Sequence, residues 1–124
     1  MLEAVLDTNF LMLAYQFKVD VLGGLRELLG EYKAVTCSGV IGELRGIGSG
    51  KGRDSAAASY ALKLLKLCRV EVKRSSKDVD DWILSYCAGK DAVACTVDKE
   101  LIRKLEKEGV KVVILRGKSR LQFA

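Results

Sequence analysis

The chain has 124 residues, 49% of them apolar and 30% charged, which is enough for one domain with one core. It contains no histidine and no proline. Without imidazole, a Ser-His-Asp or Cys-His nucleophile pair, imidazole acid–base chemistry and imidazole-ligated zinc are all excluded, so any reaction runs on carboxylates, hydroxyls, thiols or amines.

Short β-branched runs alternate with longer helical patterns along the whole chain, without repeats or linkers, as in an α/β fold built on a parallel sheet. Residues 2–6 read as the first strand and are followed by Asp7, Thr8 and Asn9. A helix spans 20–31, where Val21, Leu22, Leu25, Leu28 and Leu29 fall on one side, and 33–37 form the second strand. A short helix over 40–47 carries Glu43 and runs into the exposed glycine-rich loop 48–52. That stretch imitates a phosphate-binding loop, but Gly52 stands after Lys51 where a Ser or Thr is needed, and a helix rather than a strand precedes it. Residues 53–68 form a helix apolar around much of its circumference, which either burial or a homodimer contact explains. A strand at 70–72, a helix at 78–88 and a strand at 92–96 follow. Asp98 caps a helix over 99–108 that stops at Gly109, and 111–115 form a last strand. The tail 116–124 is basic and has no readable element.

Cys37, Cys68, Cys87 and Cys95 lie 31, 19 and 8 residues apart, which offers neither a zinc knuckle nor a CxxC redox site. Cys37 and Cys95 belong to strands on either side of the first, too far apart for a disulfide. Free thiols suit a reducing compartment. No apolar run approaches the roughly 20 residues of a membrane-crossing helix, and residues 1–18 lack a basic segment ahead of an apolar one, so a cytoplasmic location is expected. The net charge of +5 resides wholly in 99–120, where Lys99, Arg103, Lys104, Lys107, Lys111, Arg116, Lys118 and Arg120 outnumber three acidic residues. Such a segment suits a polyanion, of which nucleic acid is the commonest.

In parallel α/β sheets, reacting side chains sit past the carboxyl ends of the strands, where strand order reverses. Asp7 follows the first strand, Ser38 and Glu43 the second, and Thr96 and Asp98 the fourth; Asp80 and Asp81 open the helix before the fourth. With the first strand central, Asp7, Glu43, Asp98 and one of Asp80 or Asp81 converge. Taken singly, Asp7 and Asp98 are explained as helix caps and Asp80 and Asp81 as complements to a helix dipole. Taken together they form a like-charged pocket that a cation resolves, and all-oxygen ligation selects Mg²⁺ or Mn²⁺ over zinc. Such a pocket hydrolyses phosphate esters by activating water without imidazole. Arg45, Lys51 and Arg53 flank it on a loop, and Lys99, Arg103 and Lys107 on a helix, as contacts for a nucleic-acid backbone.

These residues resemble the PIN domain nucleases in five motifs: VLDTN at the first strand, VIGEL with Glu43, DDWIL with Asp80 and Asp81, TVDKEL with Asp98, and the closing VKVVILR. No one motif is specific, but the five stand in the family's order from Val5 to Arg116. The resemblance implies a single domain over 1–124, a three-layer α/β/α sandwich whose parallel sheet has about five strands in the order 3-2-1-4-5. It implies an Mg²⁺- or Mn²⁺-dependent ribonuclease with Asp7, Glu43, Asp98 and one of Asp80 or Asp81 as metal carboxylates. Asp80 stands 18 residues before Asp98, whereas Asp81 aligns better with the apolar helix that follows and is the preferred ligand. Thr8, Asn9, Ser38 and Thr96 match positions that orient ligands or water. The wording is nearest to archaeal relatives of the Fcf-type endonuclease of ribosomal RNA processing, with a ribosome-assembly partner. The competitors are a VapC-type toxin with an antitoxin partner and a non-catalytic RNA-binding module of the same fold. A phospho-receiver domain is disfavoured, since Leu6-Asp7-Thr8 offers no acidic pair and Val72-Lys73-Arg74 no aspartate.

Overall fold

A computed structural model describes residues 1–76, 78–117 and 119–124. Its strands are β1 (Glu3–Leu6), β2 (Lys33–Cys37), β3 (Glu71–Lys73), β4 (Ala92–Cys95), β5 (Lys111–Arg116) and β6 (Arg120–Phe123). Its helices are α1 (Thr8–Gln16), α2 (Val21–Leu29), α3 (Ser38–Gly48), α4 (Arg53–Leu67), α5 (Val79–Cys87) and α6 (Lys99–Lys107). One sheet holds all six strands in the order β3-β2-β1-β4-β5-β6. The first five are parallel and β6 runs antiparallel to β5.

The expected order 3-2-1-4-5 is present, with two corrections. The tail 116–124, left without an element by the sequence reading, forms β6, so the sheet has six strands rather than about five. Gly117, at φ +64°, supplies the left-handed residue after β5, and Leu115 pairs with Leu121 across the resulting hairpin. Leu121 then packs on α2, where a Cβ at Gly24 would lie 2.9 Å from its Cδ1. The second correction is α1, which the sequence reading did not delimit and which separates β1 from the shorter α2.

Right-handed crossovers place helices on both faces. The connections from β1 to β2 and β2 to β3 move one way across the sheet, those from β3 to β4 and β4 to β5 the other. Accordingly α1, α3 and α4 pack on one another, while α5 packs on α6. Apart from Thr36, the buried stretches of the central strands are apolar: Ala4, Val5, Leu6, Val35, Ala94 and Cys95 have no solvent exposure. In α4, Ala57, Ala58, Ala61 and Leu65 are buried, so packing within the chain accounts for its apolar stripe. All four cysteines are free, with Cys37 and Cys95 on the strands that flank β1. Among the described residues no helix is long and apolar enough to cross a membrane.

Candidate active site

The switch point lies between β1 and β4. Leu6 stands opposite Cys95 in register, so the residues after each strand emerge side by side. The end of β1 is gripped from both neighbours: Thr36 of β2 donates its hydroxyl to Leu6 O at 2.8 Å, and Asp7 N donates to Cys95 O at 3.1 Å. Thr36 was missed from the sequence. Its signal is a hydroxyl inside an otherwise apolar buried strand, a polar group that must find a partner.

Asp7 is 5% exposed, and both carboxylate oxygens are engaged. Oδ1 accepts from Thr8 N at 2.8 Å, which makes Asp7 the N-cap of α1, and Oδ2 accepts from the Thr96 hydroxyl at 2.7 Å. Burial pushes its pKa up; the bonds from Thr96 and Thr8 pull it down, and the charges of Glu43 and Asp98 raise it again. The Thr96 oxygen also accepts from Asp98 N at 3.2 Å, so one buried hydroxyl aligns two acidic residues. Asp98 Oδ1 caps α6 through Glu100 N and Leu101 N. Glu43, on the sixth residue of α3, accepts a short 2.5 Å bond from the Thr8 hydroxyl, tying that helix to the start of α1.

Asp7, Thr8, Asn9, Glu43, Gly46, Ile47, Asp80 and Asp98 line one cleft of about 490 Å³. Asp80, not Asp81, is the member of the acidic pair that faces it. Its pKa is pushed up to about 6 by burial first and then by the charges of Asp7, Asp98, Asp78 and Glu43. The physical reason is helical register: Asp78 is the N-cap of α5, accepting from Asp81 N at 3.1 Å, and this holds Asp81 on the exposed side. Among the described residues no group of three or more Asp, Glu, Cys or His side chains is drawn into a ready metal centre.

Ser38 does not line the cleft. Its hydroxyl accepts from Ser75 N at 2.9 Å, and Ser75 Oγ in turn accepts from Gly39 N at 3.0 Å, so Ser75 satisfies a free amide at the start of α3. Gly39 permits this approach, since a Cβ there would sit 3.1 Å from Val79 Cγ2 and 3.2 Å from Ser75 Oγ. None of the six cations named from the sequence lines the cleft either. Arg45, Lys51, Lys99 and Lys107 are exposed, and Arg103 is paired with Glu100 at 2.6 Å. Arg53 borders a separate cleft with Tyr15 and Tyr60. Lys118 lies outside the described residues.

A central parallel sheet with acidic residues gathered at its switch point is the architecture of the PIN-like nuclease fold. The PIN-like domain family matches residues 4–118, and this chain belongs to it. Ribonuclease VapC9 of Archaeoglobus fulgidus is 35% identical over 119 residues, covering 95% of this chain and 86% of the relative. Ribonuclease VapC4 of Methanocaldococcus jannaschii is 28% identical over 123 residues, covering 95% and 93%. The fold is also that of the PIN domain endonuclease Utp24, with a TM-score of 0.82 at 24% identity over 98% of this chain and 90% of that one.

Proposed function

We propose that this protein is an endoribonuclease that hydrolyses RNA phosphodiester bonds at the Asp7–Glu43–Asp80–Asp98 cleft with Mg²⁺ or Mn²⁺. The observation that carries the reading is the charge of the cleft. Four carboxylates from four separate stretches of chain face one space, and Asp7 and Asp80 are both pushed towards protonation by burial and by their neighbours. Such an arrangement costs stability unless a cation enters it. Family membership and two relatives named as ribonucleases support the same conclusion.

The donor set fits a hard divalent ion, since every polar side-chain atom aimed into the cleft by Asp7, Glu43, Asp80 and Asp98 is a carboxylate oxygen. When bound, the ion supplies Lewis acidity to the phosphodiester and acidity to water, the two things that a chain without histidine cannot supply by itself. The protein's own groups do the positioning. The Thr96 hydroxyl fixes the Asp7 carboxylate and the Asp98 backbone together, and the Thr8 hydroxyl holds Glu43 over the mouth of the cleft. Asn9, exposed at the rim, offers amide hydrogens to a phosphate oxygen. The exposed cations Arg45, Lys51, Lys99 and Lys107 hold the backbone of the strand on either side.

The names of the relatives favour a toxin-type ribonuclease over an enzyme of ribosomal RNA processing, and a cytoplasmic location with a cognate antitoxin as partner accompanies that role. The test is cleavage of labelled single-stranded and structured RNA in Mn²⁺, Mg²⁺ or EDTA by wild type and Asp7→Asn. Cleavage that needs the metal and is abolished by the substitution is expected. Binding without cleavage in either metal makes the protein a non-catalytic RNA-binding member of the family.

A further inference from the structure

The chain has four tyrosines, and two of them are structural: Tyr32 donates its hydroxyl to Leu22 O at 2.8 Å and Tyr86 to Glu3 at 2.6 Å. Tyr15 of α1 and Tyr60 of α4 are different. They are 44% and 39% exposed, and among the described residues neither hydroxyl has a protein partner. Their ring centroids are 5.4 Å apart at an interplanar angle of 46°, so the rings are tilted against each other rather than stacked, and both stay partly open to solvent. They border a cleft of about 580 Å³ together with Lys18 and Arg53. Both cations are exposed, and neither is ion-paired among the described residues. Asp20, which caps α2 through Gly23 N, also lines this cleft, and Asp54 accepts from Gln16 Nε2 at 3.3 Å.

This cleft shares no lining residue with the carboxylate cleft, but α1 links them: Thr8 and Asn9 at its start line one and Tyr15, about 10 Å further along, lines the other. Ile47 lines one and Arg53 the other, and the turn between them is pinned by a 2.9 Å bond from Ser55 Oγ to Gly48 O. Exposed aromatic faces beside unpaired cations are what single-stranded nucleic acid requires: bases stack on the rings and the backbone follows the charges. We infer that Tyr15 and Tyr60, with Lys18 and Arg53, form a base-stacking subsite that holds a single-stranded stretch of the substrate RNA at the far end of α1 from the catalytic cleft. The inference rests on the RNA reading above and adds to it a preference for unpaired substrate, because bases in a duplex do not offer their faces.

The test is fluorescence anisotropy of a labelled oligoadenylate of about 12 nucleotides with the full chain, in EDTA so that scission does not enter. A blunt RNA duplex of equal length is measured alongside. Tyr15→Leu/Tyr60→Leu should weaken single-strand binding about tenfold while leaving the salt dependence unchanged and duplex binding nearly so. Tyr15→Phe/Tyr60→Phe, which keeps the rings, should bind like wild type. Arg53→Gln should lower the salt slope by about 0.7, the share of one phosphate contact. Equal losses with Leu and Phe, or single-strand binding unchanged in the Leu variant, overturn the subsite while leaving the ribonuclease reading intact. Self-association of wild type that the Leu variant abolishes, with RNA binding untouched, overturns it in favour of a protein contact. If wild type binds neither RNA in EDTA, the subsite fails, while the ribonuclease reading is decided separately by the metal-dependent cleavage assay.

Discussion

Asp80 and Asp81 are separated by one position and about 100° around a helix, and that angle divides a cleft residue from a surface one. Sequence alone narrows the ligand to this pair and prefers Asp81, whereas Asp80 is the one that lines the cleft. The choice depends on where α5 begins, and three aspartates, Asp78, Asp80 and Asp81, all suit a helix start. Once Asp78 takes the cap, Asp80 faces the carboxylates and its pKa rises to about 6. That value lies above the ordinary 3.8, so the favourable contribution of this group to folding is complete below about pH 4 and is lost as pH rises through 6. Because the side chain is only partly buried, the loss is about 1 kcal/mol after allowance for solvent screening. Urea unfolding of metal-free protein should therefore show stability falling between about pH 4 and 6.5, with Asp7 adding to the fall. Asp80→Asn should flatten much of that slope and be about 1 kcal/mol more stable than wild type at the upper pH. A wild type whose stability is flat or rises over this range contradicts the account of the cleft.

At the scale of elements, Asp98 carries two roles that a single substitution can separate. It caps α6 with Oδ1, and it presents negative charge to the cleft. Asn caps a helix as well as Asp does, whereas Ala removes the cap at a cost of about 1 kcal/mol. Asp98→Asn should therefore keep the thermal midpoint within experimental scatter while RNA cleavage falls by two orders of magnitude or more, an expectation on the scale of one lost charge-stabilising group. Asp98→Ala should lose both. Activity retained in Asp98→Asn would make this residue a cap and nothing else. This cap, the α6 pattern of Leu101 and Leu105, and the apolar strands were legible because local rules fix them. Ser38 was misjudged because its partner, Ser75, lies 37 residues away in sequence. The strand β6 escaped because a four-residue edge strand carries little periodicity of its own and is defined by its pairing with β5.

At the scale of the molecule, α6 carries four of the eight basic residues of 99–120, all at exposed positions, and it starts at the cleft and runs about 13 Å away from it. That is room for about two phosphates of an extended strand. The exposed Arg103–Glu100 pair leaves Lys99, Lys104 and Lys107 as the cations of that helix without a salt bridge among the described residues. Lys99→Glu/Lys107→Glu should weaken RNA binding and reduce the slope of log affinity against log salt by about 1.4, twice the share of one contact. The same change at Arg103 alone should do less, because its charge is already countered. Binding by the double variant equal to wild type at every salt concentration would remove α6 from the path of the RNA.

On the proposed function, four carboxylates make one metal-dependent cleft and Asp80, rather than Asp81, is the fourth. The most direct measurement compares Mn²⁺-dependent cleavage rates of wild type, Asp80→Asn and Asp81→Asn on one labelled RNA. Asp80→Asn should fall by about two orders of magnitude or more while Asp81→Asn stays near wild type. The reverse ranking, or two variants that both cut like wild type, would contradict the assignment of the cleft.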